Sequence, residues 1–362
     1  MALEFKDLDI GGLVIGVPII QGGMGVRVSS SSLASAVSHE GGLGVVAAVG
    51  LGEEGTEGVD FRTRSCTALA DILRETRAKT KKPFGVNIMC ALTDYDELVN
   101  VAQKEEVDVI ISGAGLPLKM PAIVKNPKIK LVPIVSSGRA AKIICAGWQR
   151  RHQRLPDAVI VEGPLAGGHL GYSRAEIDDP EHFSLDGILA DVLSVVREFE
   201  KDGKRIPVIA AGGIFDGKDI ARVMRVGASG VQMATRFVCT HECDANIKYK
   251  QAYIDAEKKD IVIINSPVGL PGRVILNDFV RRISSGERID FDCAYQCLAT
   301  CDPRKVNYCI ARALISAYRG ELDKGFAMCG SNAYRIKKIV SVKELMAELI
   351  QDTRRCLNAK EK

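Results

Sequence analysis

Eight short apolar segments, each followed by a longer stretch of helical character, constrain the fold of this chain more than any other feature. In the longer stretches, such as "DYDELVNVAQKEE" and "DGKDIARVMRVGA", apolar residues recur every three to four positions. The predicted strands are PIIQG (18–22), GVVAA (44–48), FGVNI (84–88), VIISG (109–113), LVPIV (131–135), AVIVEG (158–163), VIAAGG (208–213) and GVQMAT (230–235). Continuous apolar strands that alternate with helices are typical of a parallel sheet buried on both faces. Eight such units predict an α/β fold, a closed (β/α)8 TIM barrel, with an open doubly wound sheet as the alternative.

The pattern changes after residue 240. Residues 246–329 show no clear strand alternation and are predicted to form an additional helical domain after strand eight, which acts as a substrate lid. Residues 330–362 are predicted to form a turn and a helix that pack back on the barrel. We therefore divide the chain into a barrel (1–245), a helical lid domain (246–329) and a C-terminal turn and helix (330–362).

Glycines gather at the carboxyl ends of the predicted strands, which is the end where a (β/α)8 barrel carries its active site. Gly212 and Gly213 close the seventh strand, and Ala234 and Thr235 close the eighth. In many barrels these two loops bind a phosphate group through backbone N–H groups, which glycine allows to approach closely. Tight turns would also explain the glycines, but their place after these two strands favours a phosphate site.

The first and third predicted strands end in residues that suit a flat ring. Gly22, Gly23 and Gly25 would let the backbone lie against a ring face, and Met24 would supply a soft apolar contact. Asn87 ends the third strand among apolar residues, where its amide needs hydrogen-bond partners. Either a ligand or a backbone cap would supply those partners.

One histidine stands out by its position. His169 follows the sixth strand in "VIVEGPLAGGHLGY" (159–172), on a loop that is rich in glycine. Because imidazole titrates near neutrality, His169 could act as a base, an acid or a neutral hydrogen-bond donor, while a structural role in the turn is the alternative. Glu162 ends the same strand and would either orient the loop or lie near a substrate.

These segments together resemble the nitronate monooxygenase superfamily, formerly called 2-nitropropane dioxygenases. The resemblance is carried by "PIIQGGMG", "FGVNIM", "VEGPLAGGHLG", "VIAAGGIFDGKDIARVMRVGASGVQMATRF" and "LPGRVILN", in order over residues 10–280. The superfamily also contains FMN-type enoyl-acyl-carrier-protein reductases and NAD(P)H:quinone reductases. The resemblance therefore implies an FMN-binding barrel that acts on a small molecule.

The resemblance also implies roles for residues. His169 matches the catalytic histidine of the superfamily, whereas Ala234 stands where many members have glycine. The implied cofactor-binding residues are Gly22, Gly23, Met24, Gly25, Asn87, Glu162, Gly167, Gly168, Gly212, Gly213, Gln232, Ala234, Thr235 and Ser331. The implied reaction is oxidation of alkyl nitronates by O2 to a carbonyl compound and nitrite. The alternatives are reduction of an enoyl thioester or a quinone with NAD(P)H at the same FMN site, and flavin binding without catalysis.

Four of the eleven cysteines are closely spaced, at Cys293, Cys297, Cys301 and Cys309. A helix through "CAYQCLATC" (293–301) would align the first three in one stripe, and Asp302-Pro303 would end that helix. Small apolar residues in such a stripe usually pack inward, so we expect no metal here. The alternatives are redox-active thiols and a metal or iron–sulfur cluster, although the spacing matches neither common ferredoxin pattern.

Charge and hydropathy exclude several classes of partner. The net charge is only +4 and the basic residues form no long run, so nucleic acid is not expected as a partner. No apolar run reaches the length of about 18 residues that a membrane span needs. The N-terminus lacks the features of a signal peptide, which predicts a cytoplasmic protein whose cysteines are reduced. A homodimer is compatible with these observations.

Overall fold

The computed structural model describes residues 5–53, 58–201, 203–293 and 296–359. All eight predicted strands are present and parallel, and we label them in chain order. They are β1 Ile19–Gln21, β2 Gly44–Ala47, β3 Phe84–Met89, β4 Val109–Gly113, β5 Lys130–Val135, β6 Val159–Glu162, β7 Val208–Ala211 and β8 Gly230–Met233. Their order in the sheet is β1-β8-β7-β6-β5-β4-β3-β2.

The sheet closes into a barrel between its first two strands. Ile20 forms a parallel bridge with Leu43, and the amide of Gln21 donates a hydrogen bond of 2.9 Å to the Leu43 carbonyl. The Leu43 amide in turn donates to the Ile19 carbonyl at 3.0 Å. The predicted (β/α)8 barrel is therefore confirmed, and the open doubly wound sheet is excluded.

A short antiparallel hairpin, Leu8–Ile10 with Leu13–Ile15, packs on the amino-terminal end of the barrel. Leu8 and Ile10 are buried in one apolar cluster with Val109, the first residue of β4, and Ala158, which directly precedes β6. Burial of these side chains closes that end by removing apolar surface from water. The hairpin does not cover the opposite, carboxyl-terminal end of the barrel, where the strands finish in glycine and polar residues. That end is therefore available for a functional site.

Helices surround the barrel and continue beyond its last strand. They are α1 Ser31–His39, α2 Phe61–Lys79, α3 Tyr95–Lys104, α4 Met120–Ile123, α5 Gly138–His152, α6 Arg174–Ile177, α7 Leu185–Arg197, α8 Gly217–Val226, α9 Thr235–Val238, α10 Ile247–Asp255, α11 Asp278–Ser284, α12 Ile310–Tyr318 and α13 Val342–Asn358. Several of these helices are preceded by an N-cap residue whose side chain accepts hydrogen bonds from the first backbone N–H groups of the helix. The Asp216 carboxylate accepts from the amides of Lys218 and Asp219 at the start of α8, and Ser341 forms a capping box with Glu344 at the start of α13.

Residues 246–329 differ from the predicted helical domain in two respects, and the first is that they contain strands. They contain α10, α11 and α12, but they also contain two strands, Ile261–Asn265 and Pro271–Ile275. These strands pair with each other, and Pro271–Ile275 also pairs with the two-residue strand Gly168–His169, so that the three form one antiparallel sheet. The second strand escaped the sequence analysis because it begins with Pro-Gly, which normally marks a turn. The division of the chain into three domains stays a prediction.

The helix predicted for residues 293–301 is wrong. The described residues of this stretch are irregular, and Leu298 forms an antiparallel bridge with Leu92. The Ala299 amide donates to the Ala91 carbonyl at 2.9 Å, so a backbone group that a helix would use is paired with a neighbouring loop instead. Residues 294 and 295 lie outside the described residues. No helix in the described part of the chain is both long and apolar enough to cross a bilayer.

Candidate active site

A cavity of about 260 Å³ lies at the carboxyl end of the barrel. Its lining includes residues at or just after the carboxyl ends of β1 to β8: Gly22, Val49, Asn87, Gly113, Ile134, Glu162, Ala211 and Gln232, among others. This is the face on which (β/α)8 barrels carry their active sites.

The structure brings fourteen of the fifteen residues implied by the sequence resemblance to this cavity. The lining residues are Gly22, Gly23, Met24, Gly25, Asn87, Glu162, Gly167, Gly168, His169, Gly212, Gly213, Gln232, Ala234 and Thr235. The exception is Ser331, which does not line the cavity, although its neighbour Gly330 does. Ser331 instead uses its amide to donate to the Leu165 carbonyl at 3.2 Å.

The two glycines of the loop after β7 have conformations that other residues rarely adopt. Gly212 has a φ of +94° and Gly213 a φ of +78°. A methyl group on Gly212 would lie 2.8 Å from the Gly163 carbonyl oxygen, and one on Gly213 would lie 2.8 Å from Leu165 Cβ. The loop after β7 therefore requires glycine at both positions.

A turn from the C-terminal part of the chain completes this corner of the cavity. The Gly330 amide donates to Thr235 Oγ1 at 2.9 Å, and Asn332 Nδ2 donates to the Gly213 carbonyl at 2.7 Å. No Lys or Arg is found among the described residues that line the cavity. An anion in this corner would therefore depend on backbone N–H groups for its stabilisation.

His169 is held from the side of the antiparallel sheet. It pairs with Gly272 in register, and its Nε2 lies 2.7 Å from Ser266 Oγ. The Val268 amide also donates to Ser266 Oγ, at 3.3 Å. Burial lowers the pKa of His169 to about 4, so the imidazole is neutral at pH 7.

Glu162 reaches the cavity from β6. Burial raises the pKa of its carboxyl group from 4.5 to about 7. Its backbone carbonyl accepts a hydrogen bond of 2.6 Å from the Tyr172 hydroxyl group, which also donates to the Ser136 carbonyl at 3.1 Å. The loop that joins Glu162 to His169 is thus fixed at its first residue.

Gln232 has a buried side-chain oxygen without a hydrogen-bond partner. The side chain lies beside Gly22, where an added Cβ would stand 3.2 Å from Gln232 Cγ and Cδ. A buried acceptor that lacks a donor is costly, so its place on the cavity wall indicates that a ligand supplies the donor.

Comparison with known proteins identifies the family to which this chain belongs. The family model described as nitronate monooxygenase matches residues 8–352. The chain belongs to the nitronate monooxygenase family.

Relatives within and around this family carry different names. A protein of Mycobacterium tuberculosis named (3aS,4S,5R,7aS)-5-hydroxy-7a-methyl-1-oxo-octahydro-1H-indene-4-carboxyl-CoA dehydrogenase is 32% identical over 75% of this chain and 66% of its own length. The chain thus spans just under two thirds of that protein. The nitronate monooxygenase of Pseudomonas aeruginosa is 30% identical over 65% of this chain and 70% of its own length. FabK from Thermotoga maritima has a TM-score of 0.73 at 31% identity, with 93% of each chain covered.

In this member of the nitronate monooxygenase family, two residues that the sequence analysis missed hold the histidine loop. Ser266 is one of them. The other is Arg273, which is 5% exposed and donates from its guanidinium group to the carbonyls of Pro164, at 2.9 Å, and Ala166. Arg273 lay within the quoted "LPGRVILN" segment, but only the pairing of its strand with Gly168–His169 reveals what it contacts.

The cavity has two walls of different character. We call the residues at and just after the strand ends, many of them glycines, the barrel wall; they are residues 22–25, 87, 162, 212–213, 232 and 234–235. We call the side chains contributed by residues 246–329 the added wall: Tyr249, Tyr253, Val268, Cys297, Leu298, Ile310, Ala311, Leu314, Met328 and Cys329. The Tyr253 hydroxyl group is satisfied by the Met328 carbonyl, so the added wall presents a mainly apolar surface to the cavity.

Proposed function

We propose that this chain is an FMN-dependent oxidoreductase that converts alkyl nitronates and O2 into a carbonyl compound and nitrite. The observation that carries the proposal is the placement of His169, which burial keeps neutral, at a cavity that is also lined by glycine-rich strand ends. FMN would supply one- and two-electron transfer chemistry when bound.

The residues of the cavity fit this cofactor. Gln232 has an unpaired buried oxygen that would accept from an N–H group of the ring, and Asn87 would supply a second polar contact. Gly22 to Gly25 would lie against the ring. Gly212, Gly213 and Thr235 would hold the phosphate with the Gly330 turn beside them.

His169 would position the substrate. A neutral imidazole can donate a hydrogen bond to an oxygen of the nitronate, or accept the acidic proton from the carbon of a neutral nitroalkane and so produce the nitronate. Since the Ser266 hydroxyl group can either donate to or accept from Nε2, the 2.7 Å hydrogen bond keeps the ring oriented in both tautomers. The apolar added wall would receive the alkyl chain of the substrate and limit the access of water.

Replacement of His169 tests this role. We expect His169→Ala to retain FMN but to lose about 10²- to 10⁴-fold in turnover, as is typical when a positioned acid–base group is removed. His182→Ala is the control, because His182 is exposed and bonded only to Asp179. Loss of FMN with unchanged turnover per bound flavin would contradict a catalytic role.

A second candidate is reduction of an enoyl thioester with NAD(P)H. The apolar added wall would also suit an acyl chain, and both the dehydrogenase named for a carboxyl-CoA compound and FabK are among the relatives. Here a neutral His169 would donate to the thioester carbonyl. Quinone reduction with NAD(P)H would use the same site, and a protein that binds flavin without turnover is the outcome if no substrate reacts.

One experiment separates these functions. The purified protein is mixed without oxygen with propionate 3-nitronate, with NADPH, or with NADPH and then crotonyl-CoA, and the flavin absorbance is followed. Bleaching by the nitronate alone supports the first proposal. Bleaching by NADPH with recovery by crotonyl-CoA replaces it with the second. A cytoplasmic location and a homodimer remain proposals that rest on the sequence.

A further inference from the structure

Arg273 is a buried cation without an acidic partner in the described part of the chain. It lies in the strand Pro271–Ile275, is 5% exposed, and uses its guanidinium group to donate hydrogen bonds to the backbone carbonyls of Pro164 and Ala166. Burial lowers the pKa of this group, and no Asp or Glu among the described residues acts against that. A guanidinium group stays charged in a protein, and a buried charge without a counterion is costly. The position of Arg273 therefore indicates that an anion binds close by.

Arg273 lies directly behind the loop that carries His169. Its side chain does not line the cavity, but Ala166 and Gly167 do. In a planar trans peptide unit the C=O and N–H groups point in opposite directions, and the unit that joins Ala166 to Gly167 is trans. Since its carbonyl points to Arg273, its N–H group, which belongs to Gly167, points away from Arg273 and towards the cavity.

The N–H group of Gly167 has no backbone or side-chain hydrogen-bond partner among the described residues. Because nearly all backbone N–H groups that are shielded from bulk water are paired, a free one on a cavity wall is available to a ligand. The position also requires glycine, since a methyl group on Gly167 would lie 2.6 Å from the Gly330 nitrogen. The loop thus brings a backbone donor to a place where no larger residue fits.

This donor lies in the corner that we assign to the phosphate group. A Cβ atom added to Gly330 would lie 3.8 Å from the Gly167 nitrogen and 2.8 Å from Thr235 Oγ1, so the amide and the hydroxyl group flank the same glycine. Thr235 Oγ1 accepts from the Gly330 amide and can donate its own hydrogen to a ligand. The corner therefore combines two neighbouring donors with a cation behind one of them.

A purely structural role does not explain the charge of Arg273. Elsewhere in this chain a neutral side chain holds two carbonyls in the same way. Asn277 Nδ2 donates to the carbonyls of Leu322 and Gly325 at 2.9 and 2.8 Å. An amide is therefore sufficient to join two backbone segments, and a guanidinium group adds a positive charge that this task does not need.

The neighbouring thiol does not supply the missing negative charge. Cys329 lies near Arg273, and its amide donates to the Arg273 carbonyl at 3.0 Å. Burial nevertheless raises the pKa of the Cys329 thiol to about 12, so the thiol is neutral at pH 7. The counterion of Arg273 must therefore come with a ligand.

We propose that Arg273 is the buried countercharge of the FMN phosphate and acts through the peptide unit that joins Ala166 to Gly167. In this arrangement the Gly167 N–H group donates to a phosphate oxygen, while the guanidinium group polarises the same peptide unit from behind and strengthens its donor. Arg273 is a positioning residue, since it does not touch the ligand. The inference rests on the proposed binding of FMN, and it gives the phosphate corner the cation that its lining lacks.

The test compares FMN with riboflavin, which has the same ring and ribityl chain but no phosphate. Each flavin is titrated with full-length protein from which bound flavin has been removed, and quenching of flavin fluorescence gives the Kd. We expect Arg273→Gln to raise the Kd for FMN about tenfold or more and to leave the Kd for riboflavin within about twofold. Arg273→Lys keeps the charge and should retain most of the preference for FMN.

The matched control is Arg282→Gln, because Arg282 is exposed on α11 and pairs with Glu287. Circular dichroism establishes that each variant is folded. An equal rise of both Kd values in Arg273→Gln, or an unchanged preference for FMN, would overturn the proposal. Should Arg273→Gln not fold, Arg273→Lys decides, since loss of its preference for FMN would show that the charge is not what matters. Failure of the wild type to bind either flavin would refute the proposed function as well, whereas the other outcomes refute this inference alone.

Discussion

The barrel wall and the added wall line the same cavity but differ in composition. The barrel wall is mainly backbone, with glycines where the chain must come close to its neighbours. The added wall consists of large apolar side chains such as Tyr249, Ile310 and Leu314. Backbone N–H groups are the same in every sequence, so they suit a ligand that does not change, such as the phosphate and ring of a cofactor. Side chains differ in size and shape, so they suit the recognition of a particular substrate. We infer that the barrel wall binds the cofactor and the added wall selects the substrate.

The largest effect should come from the barrel wall. Gly212→Ala places a methyl group 2.8 Å from the Gly163 carbonyl oxygen at a φ of +94°, so we expect the loop after β7 to move and the bound FMN to be lost. The measurement is the ratio of flavin to protein absorbance after gel filtration. Gly286→Ala is the matched control, because Gly286 has a φ of +88° but no atom within 4 Å of the added Cβ. Equal flavin loss in both variants would mean that backbone strain alone is responsible.

The barrel wall was also the part that could be predicted from the sequence. Each of its residues follows a short apolar strand, and a closed parallel barrel brings all strand ends to one face, so local patterns were sufficient. Gln232 and Asn87 belong to this group, as polar residues at strand ends.

The added wall could not be predicted in the same way. Ser266 and Arg273 act through the pairing of Pro271–Ile275 with Gly168–His169, two segments separated by about one hundred positions in the chain. The pattern of apolar and polar residues within either segment gives no indication that the two segments pair. The helix expected at residues 293–301 failed for a related reason, since its backbone groups find partners in the loop at residues 91–93.

Glu162 provides a second test of the barrel wall, through the pH dependence of stability. Its pKa is about 7 in the folded protein and 4.5 ordinarily. Between these pH values the unfolded chain releases a proton that the folded protein keeps, so this group lowers the free energy of unfolding as pH rises. Its contribution reaches about 3 kcal/mol above pH 7 and vanishes below pH 4.

Glu162→Gln should remove this decrease in the free energy of unfolding with rising pH. We therefore expect the variant and the wild type to differ by a constant amount below pH 4, with the variant gaining relative stability up to pH 7. Urea unfolding of the flavin-free protein at several pH values measures the difference. Parallel curves across this range would show that Glu162 ionises normally in the fold.

A smaller effect is expected at the added wall. Leu314→Ala removes apolar contact area at the cavity, so the KM for an alkyl substrate should rise by about tenfold while kcat and FMN content stay unchanged. Leu322→Ala is the control, because Leu322 lines a separate cavity. A loss of FMN in Leu314→Ala would contradict the division of labour between the two walls.

Ser266 should give the smallest effect, because it acts at the junction of the walls by orienting His169 and has no direct contact with a substrate in this proposal. Ser266→Ala removes the hydrogen bond to Nε2 of His169 and the weaker one from the Val268 amide, and we expect kcat to fall by about three- to tenfold with FMN content unchanged. Ser266→Thr keeps the hydroxyl group and should restore most of the rate. Because the pKa of His169 is lowered by burial and not by Ser266, the pH profile of the Ser266→Ala variant should keep its shape while the rate decreases at every pH. A shifted profile would show instead that Ser266 determines the protonation state of the histidine.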